Sequence, residues 1–419
     1  MAETNWPKRY RALANSLLRA APAARPLLAG FNIFVDATYP MDGARIARLA
    51  AEAGRVAAAE DMGPGLAAEI LARLGGGRGG AICIDWTAGP AWTTRLLGEP
   101  AALQLGGTGP QAAWALAAIG APAVIALTDR SDEQLSVLHS GISIAAGEGR
   151  LLPPQEVTRR TPPQKPRNVI LEFTEGTPWP GGSVRRSTRI MLRFIDYGME
   201  RDEYFADAAR RMATDASALL VAGLDSLPAG DRQSLPWLRR LTRDLRTRGV
   251  PATHFELAEF PRRGEMEECA RALGGLCDSV GMSLSEARML TGAEAPPAEA
   301  ARTVAERFGY ATVFVHADDW ALAVHRGAAD ARIRDLMTGN LLASARAFLG
   351  RPSPDLAIAP EATFSADIPA SGPLGDGWTA DCVPSPYLKR PRATVGLGDT
   401  FVAGLMLAAG VGPELAPLP

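Results

Sequence analysis

With 419 residues, 47% of them hydrophobic, the chain has enough apolar material for one large domain and a smaller one, without a disulfide framework to hold its core. Its 44 Lys and Arg stand against 46 Asp and Glu, a net charge of −2, so no basic excess argues for nucleic acid or an anionic membrane, and a small molecule is the better partner. Cys83, Cys269, Cys277 and Cys382 lack the spacing of zinc or redox motifs and read as reduced, unpaired thiols; the polar start (1–11) and an Ala-rich run broken by Arg19, Pro22, Arg25 and Pro26 mark neither export nor membrane insertion, so a cytoplasmic protein is expected.

Taken in chain order, apolar runs predict strands at 27–35, 123–127, 169–172, 218–223, 252–257, 278–282, 312–316 and 321–325. Helical periodicity predicts helices at 110–119, 201–213, 234–248, 265–273, 285–290, 297–308 and 402–409. Strands alternating with helices of this length require crossover connections, which predicts an α/β fold with a doubly wound, mostly parallel central sheet and helices on both faces. Two stretches break the rhythm. Residues 41–102 carry two helical patterns, a Gly-rich turn at 75–80 and a short apolar run at 81–85; residues 136–198 are rich in Pro and Gly, with short strands expected at 141–145 and 189–195. Both are assigned to a smaller α/β lid, leaving 1–40, 103–135 and 199–419 as the large domain, because ligands of open α/β sheets bind beyond the carboxyl ends of strands. The Pro-rich segments 152–166 and 351–387 read as surface loops.

The densest chemistry lies near the end of the chain, in Thr394-Val395-Gly396-Leu397-Gly398-Asp399-Thr400. Two glycines let backbone N–H groups turn inward, a carboxylate follows, and a helix N-terminus adds partial positive charge. A turn with a helix-capping aspartate is the plain alternative. A carboxylate beside an anion site repels bound phosphate unless it is used, and a general base must sit next to both the acceptor hydroxyl and the moving phosphoryl group. The pairing therefore favours phosphoryl transfer, with Asp399 as base and Gly396 and Gly398 as the cradle.

Earlier segments add candidates. Asp36 follows an apolar run that also carries Asn32 and Phe34 on one face if the strand is regular, and its carboxylate can accept from two vicinal hydroxyls. Gly106-Gly107-Thr108-Gly109 precedes a helix and matches half of a dinucleotide fingerprint, which keeps a nicotinamide-dependent oxidoreductase open as a rival. His254 and Glu256 share a strand face, and Ser283 with Glu286 has the spacing of a capping box. Arg185, Arg186, Arg189 and Arg193 form either an exposed charged hairpin or a clamp for phosphate.

The 394–400 segment resembles the C-terminal signature of the ribokinase-like superfamily, in a form most similar to its ADP-dependent glucokinase/phosphofructokinase branch. Further matches follow in order across nearly the whole chain: 30–36 after the first strand, Gly106-Gly107, His254-Phe255-Glu256, and 278–282 leading to Glu286. The resemblance implies a sugar kinase whose substrate site uses Asn32, Asp36, Gly106, Gly107 and Asp225, with nucleotide phosphates at Thr394, Val395, Gly396, Leu397 and Gly398; from the basic cluster, Arg189 is added on the substrate side as a candidate clamp. It implies Mg²⁺ near Glu256, Glu286 and Asp399, and an adenine nucleotide as donor to a hexose or hexose phosphate, with ADP expected from the branch although no short motif separates it from ATP. Two positions depart from the pattern: Ser283 replaces an asparagine, and Asp225 stands where relatives tend to carry glutamine. These departures leave a catalytically weak, ligand-binding relative as a second alternative.

Overall fold

The computed structural model describes residues 5–58, 60–160, 165–194, 198–228, 230–260, 262–292 and 294–411. Among them an 11-stranded sheet runs in the order Gly372–Gly375, Trp378–Pro384, Trp320–His325, Thr312–His316, Ser279–Ser283, Thr253–Glu256, Ala218–Val221, Leu27–Gly30, Ala123–Ile125, Ile142–Ala145 and Leu151–Leu152. From Thr312–His316 through Ile142–Ala145 the pairing is parallel, and antiparallel strands close both edges. Strand alternation explains why these runs are apolar throughout. Leu27, Ala29, Ala218 and Leu220 face a layer with helices Trp6–Ala20, Thr108–Ala118, Ile333–Leu349 and Leu397–Val411. Leu28, Leu219, Val221, Val313 and Val315 face the opposite layer, with helices Glu203–Met212, Ser234–Thr247, Arg263–Leu273, Leu284–Thr291 and Pro297–Phe308. The α/β, doubly wound architecture is the one read from the sequence, and strand 312–316 and helix 297–308 match to the residue.

The expected single strand 27–35 is two strands in two sheets. Leu27–Gly30 ends in the large sheet, and Phe34–Pro40 enters a 5-stranded sheet ordered Gly80–Cys83, Thr188–Arg193, Asn168–Phe173, Phe34–Pro40 and Ala102–Gly106. The helix start at Thr108 presses against the break: a Cβ on Gly109 would lie 2.6 Å from the backbone N and O of Gly30. Asn32 therefore lies in the crossing segment, not on a strand face with Phe34 and Asp36. Leu27–Gly30 sits where strand order reverses, with Ala123–Ile125 on one side and Ala218–Val221 on the other, which is where open α/β sheets place their ligands.

Segment boundaries shift for the same reason. Ile142–Ala145, placed with the lid by composition, pairs with Ala123–Ile125 in the large sheet. Phe34–Pro40 and Ala102–Gly106 belong to the small sheet. Three helices, Gly43–Ala53, Gly63–Gly75 and Gly89–Leu97, cover one face of that sheet where two were expected, burying Ile46, Leu49, Leu66, Ile70 and Trp92 against Leu171, Ile190 and Leu192. The 189–195 strand is Thr188–Arg193, and Ile195 lies outside the described residues. The expected loop 351–387 contains the hairpin Gly372–Gly375/Trp378–Pro384. No helix of the described residues is long and apolar enough to cross a membrane.

Candidate active site

Asp36 lies on the small sheet opposite Asn168, whose Nδ2 donates to Asp36 Oδ1 at 3.1 Å. Its carboxylate rests on Gly106, where any Cβ would overlap it. Burial pushes Asp36 up to about 6, with the charge of Asp399 adding to that rise and Asn168, Arg193 and Arg346 opposing it. Asn32 is held between two glycines of positive φ, Gly107 (+94°) and Gly223 (+83°), and a Cβ on Gly223 would overlap its side chain. The buried Oδ1 of Asn32 has no hydrogen-bond partner. Asp225, on the short turn Leu224–Ser226 that follows the strand Ala218–Val221, accepts from Arg193 Nη2 at 2.8 Å, and its own carbonyl accepts from Arg193 Nη1 at 3.2 Å.

The phosphate end is built by two helices. Gly396 has φ +72°, and a Cβ there would overlap the guanidinium of Arg346, so glycine is required twice over. Arg346, buried on the Ile333–Leu349 helix, donates from Nη1 to the Gly396 carbonyl (3.1 Å), Thr400 Oγ1 (3.0 Å) and Gln111 Oε1 (2.8 Å). Burial brings its pKa down to about 10 against the pull of the nearby Asp399, Asp36 and Glu172 carboxylates. The last helix runs Leu397–Val411, earlier than the expected 402–409, so Asp399 stands in its first turn instead of before it. Burial raises Asp399 above the ordinary aspartate value, opposed by Arg346, a hydrogen bond with the Thr108 side chain and Arg189. Arg189 reaches across from the lid to donate to the Thr394 carbonyl at 3.0 Å, while Thr394 Oγ1 has no partner.

A third group adjoins the cradle. His254 Nε2 lies 3.0 Å from Glu256 Oε2, and His316 Nε2 lies 3.5 Å from Glu256 Oε1. Burial alone would raise Glu256, but the hydrogen bonds and charges of His254 and His316 hold it below the usual range. His316 moves the other way: burial opposes its protonation, and Glu256, Glu286 and Asp399 outweigh that and raise it. Glu286 closes the capping box foreseen from its spacing, accepting from Ser283 N at 2.6 Å while Ser283 Oγ accepts from Glu286 N at 3.3 Å. Among the described residues no three His, Cys, Asp or Glu side chains converge as a metal cage. Mg²⁺ keeps several waters and takes few carboxylates, so Glu256 and Glu286 fit it as outer partners reached through water.

These residues form one site along the carboxyl edge of the large sheet, roofed by the small one. Asp36 and Asp399 each feel Arg346, and Asp36 feels Asp399 directly. Asp36 and Asp399 both stand beside the start of the Thr108–Ala118 helix, Asp36 against Gly106 and Asp399 hydrogen-bonded to the Thr108 side chain. A family model described as the ADP-specific phosphofructokinase/glucokinase conserved region matches residues 97–325. The chain belongs to the ADP-specific phosphofructokinase/glucokinase family. The match contains Gly106, Gly107, Arg189, Asp225, Glu256 and Glu286, whereas Asn32, Asp36 and the 394–400 loop lie outside it. No curated protein matches the chain by sequence.

Solved structures extend the likeness of fold over the whole chain. An ADP-dependent kinase in complex with fructose-6-phosphate and ADPβS is 17% identical, covers 98% of this chain and 99% of its own, and superposes with a TM-score of 0.76. The last common ancestor of ADP-dependent phosphofructokinases from Methanosarcinales covers 98% and 99% at 17% identity, with a TM-score of 0.69. A phosphofructokinase from Pyrococcus horikoshii OT3 with AMP covers 92% and 97% at 17% identity, with a TM-score of 0.67. Arg346, His316 and Asn168 adjoin the candidate site without having been singled out by the sequence, and Thr108, read there only as part of the 106–109 motif, bonds Asp399. Arg346, the single charge in the stretch 336–349, is the one local signal, since an unpaired charge on a buried helix face is too costly to keep without a use.

Proposed function

We propose that this member of the ADP-dependent sugar kinase family transfers the terminal phosphoryl group of ADP to a sugar hydroxyl, leaving AMP, with Asp399 as general base. The observation that carries this reading is the juxtaposition of Asp399, in the first turn of the last helix and beside Arg346, with Asp36 on the roofing sheet. Asp36 and Asn32 offer acceptors that orient sugar hydroxyls toward Asp399. The raised pKa of Asp399 brings it nearer to that of a working base at neutral pH, and it takes the hydroxyl proton as the phosphoryl group arrives. The first-turn backbone N–H groups of Leu397 and Gly398, which an α-helix leaves without intrahelical partners, together with Arg346 and Arg189 meet the charge that develops on the phosphoryl oxygens. Mg²⁺, held through water by Glu256 and Glu286 beside Asp399, would supply further charge neutralisation when bound. Closure of the small sheet over the cleft keeps water from acting as acceptor.

The test is a matrix of ADP and ATP against hexoses, hexose phosphates, pentoses and nucleosides, with and without Mg²⁺. Asp399→Asn should lower turnover by at least ~10²-fold, the lower end for loss of a general base. Near-normal turnover in that variant would remove Asp399 from the chemistry.

A further inference from the structure

The sugar end of the cleft is short of donors. Asn32 Oδ1 and Asp225 Oδ1 are both buried without a hydrogen-bond partner, and Asp36 adds a third buried oxygen acceptor group, close enough to Arg193 and Asp399 to feel their charges. They surround one place. Asn32 is wedged between Gly107 and Gly223, Asp225 follows Gly223 by two residues, and Arg193, which binds Asp225, also acts on Asp36. A buried acceptor left unpaired costs about 1–3 kcal/mol, so the arrangement awaits a ligand that brings donors.

The cations nearby are already neutralised. Arg193 and Asp225 form a buried ion pair, with side chains 5% and 6% exposed, in which the lid strand Thr188–Arg193 supplies the cation and the large domain the carboxylate. Lys165 is paired with Glu200. Both cations flank the Phe34 ring, at 5.6 Å for Arg193 and 5.8 Å for Lys165. A phosphate carried by the sugar would bring acceptors to a place that already holds acceptors, and negative charge to a place where Asp36 and Asp225 stand.

We propose that the Arg193–Asp225 pair is a specificity determinant that commits this site to an unphosphorylated, hydroxyl-rich sugar as acceptor and excludes a sugar phosphate. The proposal rests on the kinase reading above for the place of the acceptor, but its test is one of binding. Two hydroxyls of a free hexose suffice for the orphaned oxygens of Asn32 and Asp225, and a site built to hydrogen-bond a substrate hydroxyl discriminates strongly against ligands that leave its buried groups unpaired. Asp225 acts twice, by offering Oδ1 to a hydroxyl and by holding the Arg193 charge away from any phosphate.

Calorimetric titration of the full chain with D-glucose, D-fructose and D-fructose 6-phosphate decides it, alongside Asp225→Asn, which keeps the size of the side chain and removes the carboxylate charge that faces Arg193 Nη2. The wild-type protein should bind at least one free hexose ~10²-fold or more tighter than the sugar phosphate, and Asp225→Asn should narrow that ratio at least ~10-fold. Equal or tighter binding of the sugar phosphate, no binding of either free hexose, or an unchanged ratio in a folded Asp225→Asn protein overturns the proposal. If that variant does not fold, the wild-type ratio alone decides. Phosphoryl transfer is measured on the same samples. Transfer to fructose 6-phosphate with a reversed binding ratio sinks this inference and leaves the kinase reading standing; the expected ratio without transfer from ADP to any sugar does the opposite.

Discussion

Asp36 holds its charge at a cost to the fold. Burial moves it up to about 6, so between about pH 4 and pH 6 the folded protein keeps a proton that the unfolded chain has lost. This contribution is therefore fully present below the unfolded value and is lost as pH rises through about 6, a difference of roughly 3 kcal/mol at 1.36 kcal/mol per pH unit. Asp36→Asn retains an oxygen for Asn168 and removes the buried charge. It should stabilise the unliganded protein at pH 7 by up to ~3 kcal/mol relative to its effect at pH 4, while weakening sugar binding. Urea unfolding at the two pH values checks this, and equal shifts at both would place the burden elsewhere. Asp36 was legible in the sequence because a carboxylate after an apolar run is conspicuous. Its partner Asn168 was not, since 132 residues separate them and only the sheet brings them opposite.

At the scale of elements, the site depends on how closely two helices pack. Ile333–Leu349 brings Arg346, and Leu397–Val411 begins with the cradle; they meet where a Cβ on Gly404 would lie 2.6 Å from the Cα and N of Gly339 and from the Thr338 carbonyl. Backbone faces backbone there, so neither side can yield by turning a side chain. Gly404→Ala should force the helices apart, cost ~1–3 kcal/mol of stability as overpacking does, and lower turnover by shifting Arg346 from Gly396. Thermal unfolding and steady-state kinetics together check it; a stable variant with reduced turnover would still support the geometric link, whereas unchanged values in both would refute it. The first of these helices has no counterpart among the elements expected from periodicity. Buried around most of its circumference, it shows no amphipathic stripe, and periodicity is blind to such a helix. The strands of the large sheet were legible for the converse reason, as short apolar runs between helices with clear polar faces.

At the scale of the molecule, the strand Thr188–Arg193 and the turn before it tie the two sheets together. Ile190 and Leu192 enter the small domain's core, while Arg189 and Arg193 on the other strand face bind the large domain, and Arg186 pairs with Asp318. These contacts differ in worth. Arg186 and Asp318 have side chains 59% and 57% exposed, so Arg186→Ala should change stability by less than ~1 kcal/mol. Arg189→Ala removes the donor to the Thr394 carbonyl beside the cradle and should raise the KM for ADP about tenfold or more, as loss of a charge-assisted contact to phosphate does. Kinetics that leave the two variants alike would show that Arg189 serves only to close the domains. The basic cluster is visible in the sequence as four arginines within nine positions, but the division of Arg186, Arg189 and Arg193 into surface pair, cradle contact and buried ion pair depends on strand alternation and on what lies across the cleft.

The sequence by itself determined the α/β class and picked out the glycine turn at Gly396–Asp399 and Asp36 as candidate site residues. Each depends on a local requirement: an apolar run for a covered strand, a positive φ for glycine, a carboxylate beside a helix start. Only the tertiary structure decided that the chain changes sheets between Gly30 and Phe34, because an apolar run carries no mark of which sheet it joins. Only it brought Arg346 to Gln111 across 235 positions and Arg193 to Asp225 across 32. Buried charges find partners through packing, and packing leaves no trace in local spacing.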